Sequence, residues 1–493
     1  MQIKLDNNLR LIYMKRFKVS LLLMFLVMVE LLYGQAGALD MSFTSKINSY
    51  IYSTALQPDG KIIIGGEFKF YDYTISRDRI ARLNSDASLD STFNPGSGAN
   101  YAVQAVALQV DGKILIGGDF TTYNGIACNR LARLNTDGSL DTTFKVGKGT
   151  ESFTGNENHI YSIRLQNDAK IIICGRFESY NGVNRGGIAR LNSDGTIDET
   201  FNPGTGVDYS DYIQSVVLQK DGKILIGGSF TTYNGYKRGK IARLNVDGSL
   251  DLTFDSKYGG VNGIGTSVRS ISIQADDKII IGGIFNQYNG LNRRNIARLK
   301  ADGSMDSTFN LNNTLAGSIR ATNIQSDGKI LIGGYFDAYG GPNKKIIARL
   351  NTDGNLDHTF SPEAGFSDDI VSSIVIEPSG SILVAGLFTI IGGVNRSFIA
   401  RIFGNSVVTN INQFENKTIN IFPNPTLGEV IIKTANEIPI CINVIDIAGR
   451  IVLNYKPTNT TSAINLENFS EGIYFVRVNT EQSIEVIKIV LEK

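Results

Sequence analysis

Along residues 39–403 the apolar positions fall into short runs that recur seven times. Val103 to Gln109 alternates apolar and polar side chains, the period of a half-buried strand, while Ile114-Leu115-Ile116 is a continuous apolar run expected of a fully buried one. Turn residues separate the runs. Asp111-Gly112 and Asp137-Gly138 predict tight hairpins, because glycine accepts the positive φ that a primed two-residue turn needs. Helical 3.6 periodicity is not apparent in the repeats. Each unit therefore reads as four short strands, the content of a propeller blade.

The repeat can be written A-L-Q-x-D-G-K-I-L-I-G-G-x-F, a Y-N-G loop, then I-A-R-L-N-x-D-G-S-L-D-x-T-F. The G-G-x-F element begins at Gly65, Gly117, Cys174, Gly227, Gly282, Gly333 and Ala385, 51 to 57 residues apart, and I-A-R ends at Arg82, Arg133, Arg190, Arg243, Arg298, Arg349 and Arg401. L-D-x-x-F is offset. It appears first at Leu39 to Phe43, then ends at Phe93, Phe144, Phe201, Phe254, Phe309 and Phe360, and no copy follows Arg401. Seven I-A-R strands have seven partners only if the N-terminal copy completes the last blade, which predicts a closed ring and excludes an open solenoid. The fold class expected is all-β: a seven-bladed β-propeller whose N-terminal strand closes the last blade, followed by a small C-terminal β-sandwich.

This string resembles the delta-60 repeat β-propeller family of bacterial secreted proteins across residues 39–403. The resemblance implies fold and compartment more than activity, since members of that family are mostly uncharacterised. A polar, asparagine-rich stretch, 404–417, reads as a linker. Residues 418–493 return to apolar segments divided by turns, expected to form the sandwich. They carry Pro423-Asn424-Pro425 with Gly428, then Asp446 with Gly449-Arg450, then Gly472-Ile473-Tyr474. In that order these elements resemble the type A C-terminal sorting domain of the type IX (Por) secretion system of Bacteroidetes. The resemblance implies the type IX machinery as a partner, export through the periplasm, and release or attachment at the outer cell surface.

The first 38 residues read as targeting. Met14-Lys15-Arg16 opens a basic segment, Leu21 to Val29 is apolar but short for a bilayer, and small residues follow at Gly34, Ala36 and Gly37. Met14 is the expected initiator and 34–38 the expected cleavage region; an uncleaved anchor is the alternative, against which Glu30 counts. No integral membrane segment is expected after cleavage.

Charge and composition remove several function classes. Lys plus Arg number 48 against 47 for Asp plus Glu, so nothing favours nucleic acid as a partner. Cys128, Cys174 and Cys441 lie far apart and form neither a disulfide framework nor a zinc pattern. His159 and His358 are the only histidines. The N-x-D-G-x-x-D string, as at Asn135 to Asp141, looks like the end of a calcium loop, but an arginine holds the place of its first acid, and a turn is the better reading. No metal and no cofactor is expected.

Two repeated constellations are candidates. Arginine and aspartate recur eight residues apart, as in Arg133 and Asp141, and Arg401 would meet Asp40 across the closure; these are expected to be structural ion pairs. A three-residue loop would set the two side by side, whereas a two-residue turn would set them on opposite faces. Of the glycine pair, the first position needs only smallness, and the second needs unusual φ/ψ or close backbone approach. The phenylalanines are expected in the core between blades. Three residues before each I-A-R stands Arg77, Cys128, Arg185, Arg238, Arg293, Lys344 or Arg396, with Tyr123, Tyr180, Tyr233, Tyr288 and Tyr339 nearby. This ring of cations and tyrosines is the candidate face for an acidic glycan or protein, with local packing as the competing reading. The functional expectation is a secreted or surface binding and scaffold module for an unknown surface protein or glycan, and not an enzyme. The alternative is an extracellular lyase or hydrolase with its site at the axis or in the irregular loops Gly147 to Asn158 and Tyr258 to Thr266.

Overall fold

The computed structural model describes residues 36–152, 158–254, 260–262, 265–309, 315–337, 344–360, 370–391, 393–404, 419–434, 438–446, 450–480 and 484–492. The targeting segment, the linker, Tyr339 and Gly449 lie outside them. The chain divides into two compact units at Val407/Val408.

The first unit is a seven-bladed propeller. Its inner strands are Ile51–Leu56, Val103–Leu108, His159–Leu165, Ile213–Leu218, Ser267–Ile273, Ala316–Ile324 and Ile370–Ile376. Each pairs antiparallel with a second strand ending in the glycine pair, such as Ile62–Gly66, which pairs in turn with a third such as Ile80–Leu83. Successive inner strands touch all the way round, and the seventh meets the first, where Tyr50 Oη lies 2.6 Å from Ser372 Oγ and Thr54 Oγ1 2.7 Å from Ser373 Oγ. The I-L-I and I-A-R runs are buried on both faces, so every blade interface is an apolar cluster.

The expected fourth strand is reduced to one bridge per blade, Leu83 with Leu89 and so on to Leu350 with Leu356. In the last blade Leu39 bridges Ile402, Asp40 N donates to Arg401 O (2.9 Å) and Phe403 N to Ala38 O (2.9 Å). The N-terminal segment closes the ring. Between second and third strands blades 1 to 5 and 7 insert a hairpin of two-residue strands, such as Thr122–Tyr123 with Ile126–Ala127.

The turns differ from the expected primed pairs. Asn135 N donates to Ser139 O (2.8 Å) and Gly138 N to Asn135 O (3.0 Å), closing a three-residue loop with Gly138 at φ 89. The added residue puts Arg133 and Asp141 side by side, with Asp141 N on Arg133 O. Close approach, not φ, explains the second glycine of the pair: a methyl on Gly228 would overlap the Tyr212 carbonyl oxygen. A methyl on Gly227 would stand 2.6 Å from Val268 of the next blade, a contact with a side chain rather than with backbone, and Ala385 and Cys174 occupy the equivalent place.

The C-terminal unit has a three-stranded sheet, Ile419–Phe422, Glu429–Thr434 and Thr461–Asn465, and a four-stranded one ordered Ile451–Tyr455, Cys441–Ile445, Gly472–Asn479, Ile484–Leu491. Val430, Ile432 and Ile464 of one sheet share a core with Val444, Val476 and Ile489 of the other.

Candidate ligand site at the propeller axis

The repeated arginines are structural in their surroundings. Arg82, Arg133, Arg190, Arg243, Arg298 and Arg349 each place Nε 2.6–2.8 Å from the aspartate eight residues on. The guanidinium also covers the phenylalanine of its blade at 4.6–5.1 Å and reaches the next blade, as Arg133 Nη1 does to Ser193 O (2.6 Å). One side chain thus ties a turn, a ring face and a neighbouring blade. The closing pair is looser: Arg401 Nη1 stands 3.6 Å from Asp40, and its main partner is Glu377, at 2.7 and 2.8 Å. Glu377 replaces the glutamine of the other blades, and Ser381 replaces the lysine that joins each Asp elsewhere, so two substitutions offset one another.

The expected ligand face is not a free ring. Tyr123, Tyr180, Tyr233 and Tyr288 are buried, and each hydroxyl donates to the glycine carbonyl of its blade's loop, as Tyr123 does to Gly138 O at 2.7 Å. The repeat spends these phenols on satisfying a buried carbonyl. Arg185 and Arg396 are buried and Arg77, Arg238 and Arg293 partly so; each donates Nη1 to the preceding residue's carbonyl at 2.7–2.9 Å. Burial holds the Arg77, Arg185, Arg238 and Arg396 guanidinium groups below their ordinary pKa. Cys128 stands where the others hold arginine, and a cavity of about 210 Å3 opens beside it. Lys344 begins the strand Lys344–Leu350. The irregular insertions build the rim: Thr150–Glu151 and Val261–Asn262 each add a strand to a rim hairpin.

A different set of residues meets at the axis. Every inner strand carries a β-bulge near its start, between Ile51 and Ser53 in the first blade and at the same place in the rest. A bulge leaves one residue out of the ladder and re-aims its side chain. The bulged residues are Tyr52, Gln104, Tyr161, Gln214, Arg269, Arg320 and Ser372, and with Tyr212 they line one axial cavity of about 330 Å3. All seven are half-buried.

These side chains are held by specific partners. Tyr52 Oη donates to Glu67 at 2.5 Å, and burial, reinforced by that carboxylate, keeps its phenol far above its ordinary pKa. Asp119 accepts from Gln104 Nε2 (3.2 Å) and lies 2.5 Å from His159 Nδ1, whose ring stacks on Tyr161 at 5.4 Å. Tyr161 meets Tyr212 edge to face at 5.6 Å. Arg269 donates to Ser267 and Ser318 (3.2 and 3.1 Å), and Arg320 to Tyr50 Oη (3.4 Å). Among the described residues no cluster of three or more His, Cys, Asp or Glu could hold a metal ion. The axial set escaped a reading based on repetition because it is what fails to repeat. At one place between a β-branched and a small residue the seven blades carry Tyr, Gln, Tyr, Gln, Arg, Arg and Ser.

In the C-terminal unit Asn424 pairs both ways with the last strand, donating to Lys488 O (2.7 Å) and accepting from Val490 N (2.9 Å). Thr426 N donates to Val490 O (2.8 Å), so Pro423-Asn424-Pro425 runs along that strand's edge. Arg450 donates Nε to Asp446 (2.8 Å). Tyr474 donates to Ser470 O (2.8 Å), and a methyl on Gly428 would stand 2.7 Å from Glu467.

The fold defines a seven-bladed β-propeller followed by a compact C-terminal unit. The chain belongs to the family described as a domain of unknown function (DUF5122) beta-propeller, which matches residues 57–93, 109–144, 166–201, 219–254, 274–309, 325–360 and 377–408. Residues 420–492 match a secretion system C-terminal sorting domain, which directs the protein to the cell surface or the medium through the type IX system. No curated protein matches the chain. Among solved structures it is similar to PorZ, a surface component of the type-IX secretion system of Porphyromonas gingivalis (12% identity, TM-score 0.39, 90% of this chain and 59% of that one). It is also similar to the extracellular domain of the one-component system BT4673 of B. thetaiotaomicron (11%, 0.42, 94% and 58%). A third is virginiamycin B lyase of Staphylococcus aureus (16%, 0.41, 74% and 97%). The chain spans less than two thirds of the first two.

Proposed function

We propose that this protein is an extracellular binding module whose ligand enters the axial mouth of the propeller. One observation carries the reading: the seven bulged residues are half-buried, polar or aromatic, and vary among tyrosine, glutamine, arginine and serine around the ring, while the packing positions beside them repeat. Residues kept for architecture repeat with the architecture; residues that contact an asymmetric ligand need not. The cavity volume falls at the lower end of small-ligand pockets, about 300–1,000 Å3, and its hydroxyl, amide and guanidinium groups supply both donors and acceptors.

The full exported chain, screened on a glycan array and a peptide library, tests this. Replacing Tyr161 and Gln214 together by alanine is expected to abolish binding of any hit without moving the melting temperature by more than a few degrees. Binding that survives this change but disappears with Tyr236→Ala, on an exposed rim hairpin, would put the site at the rim instead.

A second reading, an extracellular lyase or hydrolase acting at the same mouth, draws on the Asp119–His159 pair. A carboxylate on one imidazole nitrogen orients the ring as a general acid or base. His159→Ala separates the two readings, since it would stop turnover of a bound compound, whereas a binding module shows no turnover to lose.

A further inference from the structure

The axial cavity is lined by two cations and no carboxylate. The nearest acids, Glu67 and Asp119 of blades 1 and 2, follow the glycine pair, where blade 3 carries Arg176 opposite His159. Both acids are already engaged, Glu67 by the Tyr52 hydroxyl and Asp119 by Gln104 and His159. The two lining cations, Arg269 and Arg320, sit on the adjacent inner strands of blades 5 and 6. In a ring of seven, the boundary between blades 5 and 6 lies straight across from blade 2. The two charges therefore face one another from opposite walls, and neither arginine forms a salt bridge to a carboxylate among the described residues.

The seven arginines that end the I-A-R strands, the latches of the blades, each have a carboxylate at 2.6–3.6 Å. Those three residues before I-A-R, such as Arg185 and Arg238, have backbone carbonyls instead. Arg269 and Arg320 have only neutral hydroxyls: Ser267 and Ser318 for the first, Tyr50 for the second, with the Arg320 Nε buried and lacking any hydrogen-bond partner. Burial first, and then the positive charge of Arg320, pull the Arg269 guanidinium below its ordinary pKa. Two like charges in a half-enclosed place cost free energy, and an anion shared between two guanidinium forks recovers it through charge-assisted hydrogen bonds.

The rest of the lining says what the anion is attached to. Tyr52, Tyr161, Tyr212, Gln104, Gln214 and Ser372 complete the wall, and no aliphatic side chain is among them. An apolar peptide side chain would pack on the tyrosine rings but leave the amides and guanidinium groups without partners. A polyhydroxylated ring would find aromatic faces for its C–H edges, and amides and hydroxyls that both donate and accept. We infer that the axial mouth binds an anionic saccharide, its acidic group held between Arg269 and Arg320 and its ring lying among Tyr52, Tyr161 and Tyr212. The inference rests on the mouth being a ligand site, and adds the ligand's charge and class.

Calorimetric titration of the full exported chain with paired probes tests it: galacturonate and glucuronate oligomers against their methyl esters, a sulfated oligosaccharide, the neutral parent oligosaccharides, and a peptide ending in glutamate. Acidic saccharide is expected to bind more tightly than its ester or neutral parent by about 10- to 100-fold, the range of a hydrogen bond to a charged group. Arg320→Met is expected to remove that preference while leaving neutral-sugar affinity in place. Uronate and sulfate arms separate the two sources of the anion, and preference for either supports the inference. Equal affinity for acid, ester and neutral sugar would overturn it, as would a glutamate-ended peptide that binds when no saccharide does. Should Arg320→Met not fold, the ester comparison on the unaltered chain still decides. Either overturning result, if the binding concerned is lost on replacing Tyr161 and Gln214, would leave the axial site standing and refute only its anionic saccharide ligand.

Discussion

Replacing Asp306 by asparagine removes one negative charge from the latch of blade 5 and almost nothing else. The carboxylate is 2% exposed and accepts from Arg298 Nε (2.8 Å), Thr308 Oγ1 (2.7 Å) and Thr308 N (3.0 Å), with Lys278 Nζ 3.6 Å away. Burial by itself would push this carboxyl up; the hydrogen bonds from the Thr308 hydroxyl and amide, followed by the Arg298 charge, outweigh it and hold the pKa at about 2. A fall from 3.8 to about 2 corresponds to about 2 kcal/mol of stability at neutral pH. Asparagine also strands the Arg298 guanidinium, 5% exposed, and leaving one partner of a buried ion pair alone costs about 3–5 kcal/mol. The two routes bracket the loss at about 2–5 kcal/mol. A propeller of roughly 370 residues has an unfolding entropy near 0.8 kcal/mol per degree at about 2.1 cal/mol/K per residue. Asp306→Asn should therefore lower the melting temperature by about 3–6 °C in differential scanning calorimetry at pH 7. The deficit should shrink at pH 3, where the wild-type carboxylate begins to lose its own advantage. A shift under 1 °C at pH 7, or a deficit that grows on acidification, would refute this account of the latch.

The same logic sets the acid limit of the whole ring. Asp90, Asp141, Asp198, Asp251 and Asp357 are held low by the same pattern of contacts: burial opposes, and Thr, Lys and Arg hydrogen bonds prevail. A depressed folded-state pKa contributes stability above the unfolded value and loses it as pH falls toward the folded value. Melting temperatures measured from pH 7 down should stay level to about pH 5 and fall steeply below about pH 4. Gly228→Ala, which drives a methyl into a backbone oxygen, is expected to abolish soluble expression; Gly227→Ala, facing the side chains of Val268 and Ile271, should cost no more than about 3 kcal/mol in urea titration. Ala169 holds φ 64 where five other blades have glycine and blade 5 has Asp277, so Ala169→Gly should raise stability by about 1 kcal/mol, read as a higher urea midpoint.

Repetition made most of this fold legible in the chain. I-L-I and I-A-R demand burial on two faces, the offset of Leu39 to Phe43 requires a ring that closes on its N-terminal segment, and the eight-residue spacing pairs Arg with Asp once a loop length is chosen. The loop length itself was not legible. Asp-Gly is compatible with a two-residue primed turn and with the three-residue loop observed at Asn135 to Ser139, and only strand register separates them. Burial of the tyrosines was equally hidden: Tyr123 sits in a polar Y-N-G hairpin, yet its hydroxyl is needed by Gly138 O fifteen residues on.

Local composition and spacing therefore determined the class, the blade number, the closure and the C-terminal sorting signal, because each depends on which residues recur and how far apart. The tertiary structure alone decided which residues meet at the propeller axis. Tyr52, Gln104, Tyr161, Gln214, Arg269, Arg320 and Ser372 are more than 300 residues apart at their extremes and share no motif. They come together because a bulge in each of seven inner strands aims one side chain at a common axis, and an axis exists only when the ring is closed.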